Sequence, residues 1–129
     1  MPTDNLALLQ DGYAAFAAGD LVRLGELFAD GIIWHMPARN PLSGDYRGKQ
    51  EVFALFGQLA EQTAGTFRAE VHDLLADDTH GVGLVIVTAT RADGSLTVNQ
   101  VNVLHLSDGK FTERWIASTD QQAEDEFWA

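Results

Sequence analysis

Three short turns, Asp77-Asp78, Asp93-Gly94 and Asp108-Gly109, cut the second half of this chain at nearly even intervals. Between them lie runs rich in Val, Thr and Leu; Val and Thr in particular suit strands. Asp-Gly is a strong hairpin signal, because both residues tolerate the positive φ that a two-residue turn demands. The spacing predicts four strands in one antiparallel meander: Thr66–Leu75, Gly81–Arg91, Leu96–Leu106 and Phe111–Thr119.

Helical periodicity precedes the meander. Leu6, Leu9, Tyr13, Phe16 and Ala17 share one helix face, with Asp4 as the N-cap and Gly19 as the stop. Asp20 starts a second helix carrying Leu21, Leu24, Leu27 and Phe28, and Asp30-Gly31 is expected to break it. Ile32 to Met36 reads as a short strand stopped by Pro37, followed by a loop over 37–47. Gly48 opens a third helix, with Val52, Phe53, Phe56, Leu59 and Ala60 as its buried stripe and Gly65 as its end. The tail, Asp120 to Trp128, is open to a short helix capped by Asp120.

Composition narrows the function. The 129 residues fit one domain, 1–129, and 46% hydrophobic content is globular. A net charge of −11 opposes nucleic acid, which needs clustered Lys and Arg, and opposes anionic lipid. No Cys is present, so thiol catalysis and disulfides are excluded. His35, His72, His80 and His105 lack metal-ligand spacing, and no metal is expected. Met1 to Asn5 shows no secretory pattern, and the apolar stretch Val82 to Val87 is too short to span a bilayer. The expected location is the cytoplasm.

The segments AAGDLVRLGELFADGIIWHMP, PLSGDYRGKQEVFALF, SDGKFTERW and DQQAEDEFW resemble the nuclear transport factor 2-like superfamily, in its SnoaL-like and ketosteroid isomerase-like branches. The resemblance implies an α+β fold: a cone-shaped, strongly bent antiparallel sheet with three helices packed on its concave face around a deep apolar cavity. It also implies a homodimer, usually built on sheet faces. It does not fix a reaction, because this superfamily hosts isomerases, cyclases, dehydratases, epoxide hydrolases and binding modules without chemistry.

Alternation sorts the strands into faces. Leu96, Val98, Gln100, Asn102, Leu104 and Leu106 form the bulkier, more apolar set and are assigned to the cavity; His105 then points away. Trp34 and Met36 share a face of the first strand, opposite His35. On the last strand Arg114, Ile116, Ser118 and Asp120 alternate with Glu113, Trp115 and Ala117, and a bulge would exchange the sets. The resemblance singles out Asn102, at the strand position where ketosteroid isomerase-like members carry an acid that hydrogen-bonds an oxyanion. It also singles out Asp120, close to where SnoaL-like cyclases place an acid–base aspartate. Asp120 has a second reading as a plain helix cap. Met36 stands where the isomerase-like carboxylate base would be. Tyr13, Phe16, Trp34, Met36, Leu104 and Ile116 are expected to shape the cavity. The expected function is a small cofactor-independent protein holding an apolar ring-containing molecule. It would be an isomerase, cyclase or hydrolase/dehydratase working by acid–base chemistry, or a ligand-binding or dimerisation module without chemistry.

Overall fold

The computed structural model describes residues 4–129; residues 1–3, part of the segment read for a leader, lie outside it. The described chain runs α1 (Asn5–Ala18), α2 (Leu21–Leu27), β1 (Phe28–Met36), β2 (Gly44–Arg47), α3 (Gly48–Gln62), β3 (Arg68–Ala76), β4 (His80–Arg91), β5 (Gly94–Ser107), β6 (Lys110–Ser118) and α4 (Gln121–Trp128). Three of the helices begin at an aspartate whose carboxylate accepts a hydrogen bond from a backbone N–H three residues on. Asp4 accepts from Ala7 at 3.1 Å, Asp20 from Arg23 at 3.0 Å and Asp120 from Ala123 at 3.1 Å. Such a cap satisfies one of the orphan donors of the first turn.

The strands form one sheet in the order β2-β1-β6-β5-β4-β3. The meander β3 to β6 is antiparallel throughout. At the Asp108-Gly109 hairpin both turn residues have positive φ, 53° and 74°, as a two-residue primed turn requires. The structure departs from the sequence reading in several places. The sheet is mixed rather than antiparallel, because β1 returns to lie parallel to β6. Four helices form: the three expected against the sheet and α4, the short tail helix capped by Asp120 to which the sequence was open. Residues 44–47 of the expected loop pair with β1 as an edge strand, Trp34 opposite Tyr46 and His35 opposite Asp45. Asp30-Gly31 does not end in a break either. α2 passes straight into β1, and the pair sits where pairing with β6 is interrupted between Phe28 and Ile33.

Packing sets where the helices lie. Phe28 centres an aromatic cluster, its ring 5.7 Å from Trp34, 5.8 Å from Phe53 and 5.8 Å from Phe111. Pairs at these separations add about 0.5–1.5 kcal/mol each beyond burial. α1 comes close enough to β4 that a Cβ at Gly81 would sit 2.7 Å from Leu9, and one at Gly83 would overlap the Tyr13 hydroxyl. The two glycines are therefore notches that receive α1 side chains, and the second fixes the position of Tyr13.

Candidate functional site

A cavity of about 100 Å³ lies between the helices and the sheet. The β5 face follows from alternation: Leu96, Val98, Gln100, Asn102, Leu104 and Leu106 are all buried, Thr97 and Asn99 are exposed, and Gln100, Asn102 and Leu104 of the buried set line the cavity. On β6 an extra residue at Thr112 shifts the register, so that Phe111 pairs with Leu106 and Glu113 with His105. That bulge puts Phe111, Arg114 and Ile116 together in the cavity wall.

Seven of the eight residues named from sequence line this cavity: Tyr13, Phe16, Trp34, Met36, Asn102, Leu104 and Ile116. Asp120 does not. It is exposed, and its carboxylate is engaged as the α4 cap. Among the lining residues that were not named as site residues, three carry charged or amide side chains: Gln100, Arg114 and Glu124. Glu124 and Trp128 are spaced i, i+4 on α4 and are both buried, a helical stripe visible in the tail.

The polar residues make two groups along β5. In the first, Arg114 Nε donates to Asn102 Oδ1 at 2.9 Å and Nη1 donates to the His35 carbonyl at 3.3 Å. The guanidinium lies 4.5 Å from the centre of the Trp34 ring. Among the described residues no carboxylate pairs with Arg114, and none accepts a hydrogen bond from its Nη2. Burial pulls its pKa down to about 10, while the negative charge of Glu124, and that of Tyr13 once ionised, favour the cation. It stays a cation at neutral pH. Burial pushes the Tyr13 phenol above its usual value, so this hydroxyl remains a donor. In the second group Gln100 Nε2 donates to Glu124 Oε1 at 2.8 Å, and the buried Oε2 has no partner.

The opposite face of the sheet holds the histidines. His35 lies between Asp45 (2.7 Å) and Glu113 (2.6 Å) and stacks on Trp115, which places Trp115 outside the cavity. His105 packs edge-on to the same Trp115 and against His80. The hydrogen bond to Glu113, then that to Asp45, raises the His35 pKa above its ordinary value. A raised folded-state pKa gives stability that is complete below about pH 6.5 and fades as pH climbs through the folded value. Melting curves from pH 6 to 9 should therefore show a decline that His35→Gln removes, the variant being about 1 kcal/mol less stable at the acid end. Equal pH slopes for the two proteins would refute the assignment.

The SnoaL-like domain family matches residues 9–114, from α1 to Arg114 itself. Bal32a, from a soil-derived mobile gene cassette, is 36% identical, covering 97% of this chain and 96% of its own, with a TM-score of 0.93. Uncharacterized protein Rv0034 of Mycobacterium tuberculosis is 29% identical over 126 residues, 97% of this chain and 96% of its own. Likeness at 21% identity or less, to NTF2-like proteins of two Burkholderia species and to IdmH of Streptomyces antibioticus, shows the fold alone. IdmH, a putative polyketide cyclase, is 15% identical over 95% of this chain and 96% of its own, with a TM-score of 0.76. With the family's span covering α1 to β6 and Bal32a superposing over nearly the whole chain, this protein belongs to the SnoaL-like domain family and has the NTF2-like fold.

Proposed function

We propose that the cavity takes one small, apolar, ring-containing molecule and holds its carbonyl or enolate oxygen at Arg114, beside Asn102 and Tyr13. The observation that supports this is a buried guanidinium facing apolar walls with no carboxylate partner. Burying a cation costs several kcal/mol unless partners compensate. Asn102, one carbonyl and the Trp34 face offset part of that cost, and a ligand oxygen at Nη2 completes the set. Such donors stabilise charge developing on an oxygen, which suits cofactor-independent isomerisation or cyclisation through an enolate. The cavity's volume sets the ligand's size, since a cavity of ~150 Å³ accepts benzene. A single six-membered ring is the right scale.

In this reading the sheet bends around the ligand. Lining residues come from five adjacent strands, Ala69 on β3, Val85 on β4, Asn102 on β5, Arg114 on β6 and Trp34 on β1. Laid flat, five strands span about 19 Å, too wide to share one cavity of this size. A second reading, a binding module without chemistry, is favoured by the exposed Asp120 and by Met36 at the end of β1.

Cyclohexanone is a suitable probe. Its titration should shift the indole resonances of Trp34 and Trp128 saturably and leave Trp115 on the other face unmoved. If Trp34 and Trp128 stay still up to the probe's solubility limit, the cavity is not the site.

A further inference from the structure

Glu124 is a buried carboxylate that oxygen binding at Arg114 leaves without a role. It lies in the first turn of α4, beyond residues 9–114 that the family model matches, and is about 7% exposed. Gln100 fixes one of its oxygens, and the other is buried in the cavity wall with no partner. A buried unpaired carboxylate oxygen is costly to maintain. Its neighbours in the wall are otherwise apolar apart from the β5 amides and the Arg114 group.

The residues that hold the two groups have a defined spacing. Gln100, which holds Glu124, and Asn102, which holds Arg114, are two residues apart on one face of β5. That repeat is about 7 Å. Consistent with it, Glu124 and Arg114 form no ion pair, yet the charge of Glu124 is felt at Arg114. Going from a donor through a carbonyl oxygen and the next carbon to a proton acceptor takes two contacts of ~3 Å plus one O=C–C span, on the order of 8 Å in all. The separation fits a single carbonyl compound bridging the two.

We propose that Glu124 is the cavity's proton acceptor and donor: its free oxygen removes a proton from the carbon next to the carbonyl held at Arg114. This rests on the oxygen-binding reading above. The C–H bond breaks, its electron pair forms the C=C bond of an enolate, and the carbonyl electrons move to the oxygen facing the guanidinium. The protonated Glu124 returns its proton to the same carbon or, in a conjugated ligand, to another. No oxidant or cofactor enters the balance. Gln100 is a positioning residue that keeps one carboxylate oxygen occupied and the other free. The helix that carries Glu124 is itself set by Asp120, which links the cap to the chemistry without placing it in the cavity.

The test is exchange of the α-protons of cyclohexanone in D₂O, followed by ¹H NMR, with binding read separately from the Trp34 and Trp128 indoles. The parent protein should accelerate exchange over buffer. Glu124→Gln, which keeps the shape and a hydrogen bond to Gln100, should lose on the order of 10²–10⁴-fold while still binding. Asp120→Asn, which remains a good cap, should exchange at the parent rate. A parent that binds without exchanging, or a Glu124→Gln variant that exchanges at the parent rate, overturns the role of Glu124. So does a loss confined to Asp120→Asn. Failure of the parent to bind overturns the oxygen-binding reading and the role of Glu124 with it.

Discussion

Arg114→Met should lose the ligand and keep the fold. The guanidinium is buried and carries no ion pair, so its replacement by an apolar side chain of similar length removes a desolvation cost along with the charge. Exchanging buried charges for well-packed apolar groups is often neutral or stabilising. Against that, Asn102 Oδ1 and the His35 carbonyl each lose a donor, and Trp34 loses its cation. The terms nearly cancel, and the thermal midpoint should stay or rise by a few degrees. Binding should not survive: a hydrogen bond from a charged donor contributes about 1.5–3 kcal/mol, roughly 10–100-fold in affinity. Cyclohexanone should then leave Trp34 and Trp128 unshifted. A variant that melts well below the parent yet binds equally would show that Arg114 is structural.

Trp128→Ala should have the largest effect on stability and should enlarge the ligand range. Trp128 is buried in the cavity wall, with Phe67 6.3 Å and Phe127 4.8 Å away between ring centres. Truncating a buried Trp commonly costs about 3–5 kcal/mol. Here the loss has a ceiling, because α4 lies outside the sheet's hydrogen-bonded ladder and can undock by itself. It is held by Gln100 on Glu124, by Arg39 N–H and Asn40 on Asp125, and by Arg91 on the Phe127 carbonyl. The expected loss is about 3 kcal/mol in denaturant unfolding, with faster amide exchange confined to α4 if the ceiling is reached. Where α4 stays docked, the vacated space should admit a two-ring ketone such as 2-tetralone that the parent excludes. Unchanged stability and an unchanged size limit would remove Trp128 from the wall.

Local signals made much of this molecule readable in advance. Asp4 and Asp20 announced their helices, Asp108-Gly109 its hairpin, and alternation along 96–106 the cavity face, because each depends on neighbours in sequence. β2 left no such trace: its four residues include Gly44 and Asp45, poor strand formers, and pair only because β1 lies alongside. The parallel contact of β1 with β6 joins opposite ends of the chain and has no short-range signature. Arg114, although sorted onto the face of Ile116, was not named as a site residue, and Glu124 was not sorted at all, for a related reason. Charged residues belong on the surface by default. The Thr112 bulge brings Phe111 onto the face of Arg114, and the docking of α4 turns Glu124 inward.

The place of β1 in the sheet has a consequence for biosynthesis. This early strand lies between β2 and β6, so one of its edges waits for the next-to-last element of the chain. Non-local pairing of this kind is intrinsically slow, and an unpaired edge invites contact with other chains. A product cut short before residue 110 keeps that edge open and lacks Arg114 and Glu124 together. Completion of the sheet thus brings in Arg114, with Glu124 following on α4, and a chain that stops before β6 carries an exposed edge for the cell's proteases and chaperones to recognise.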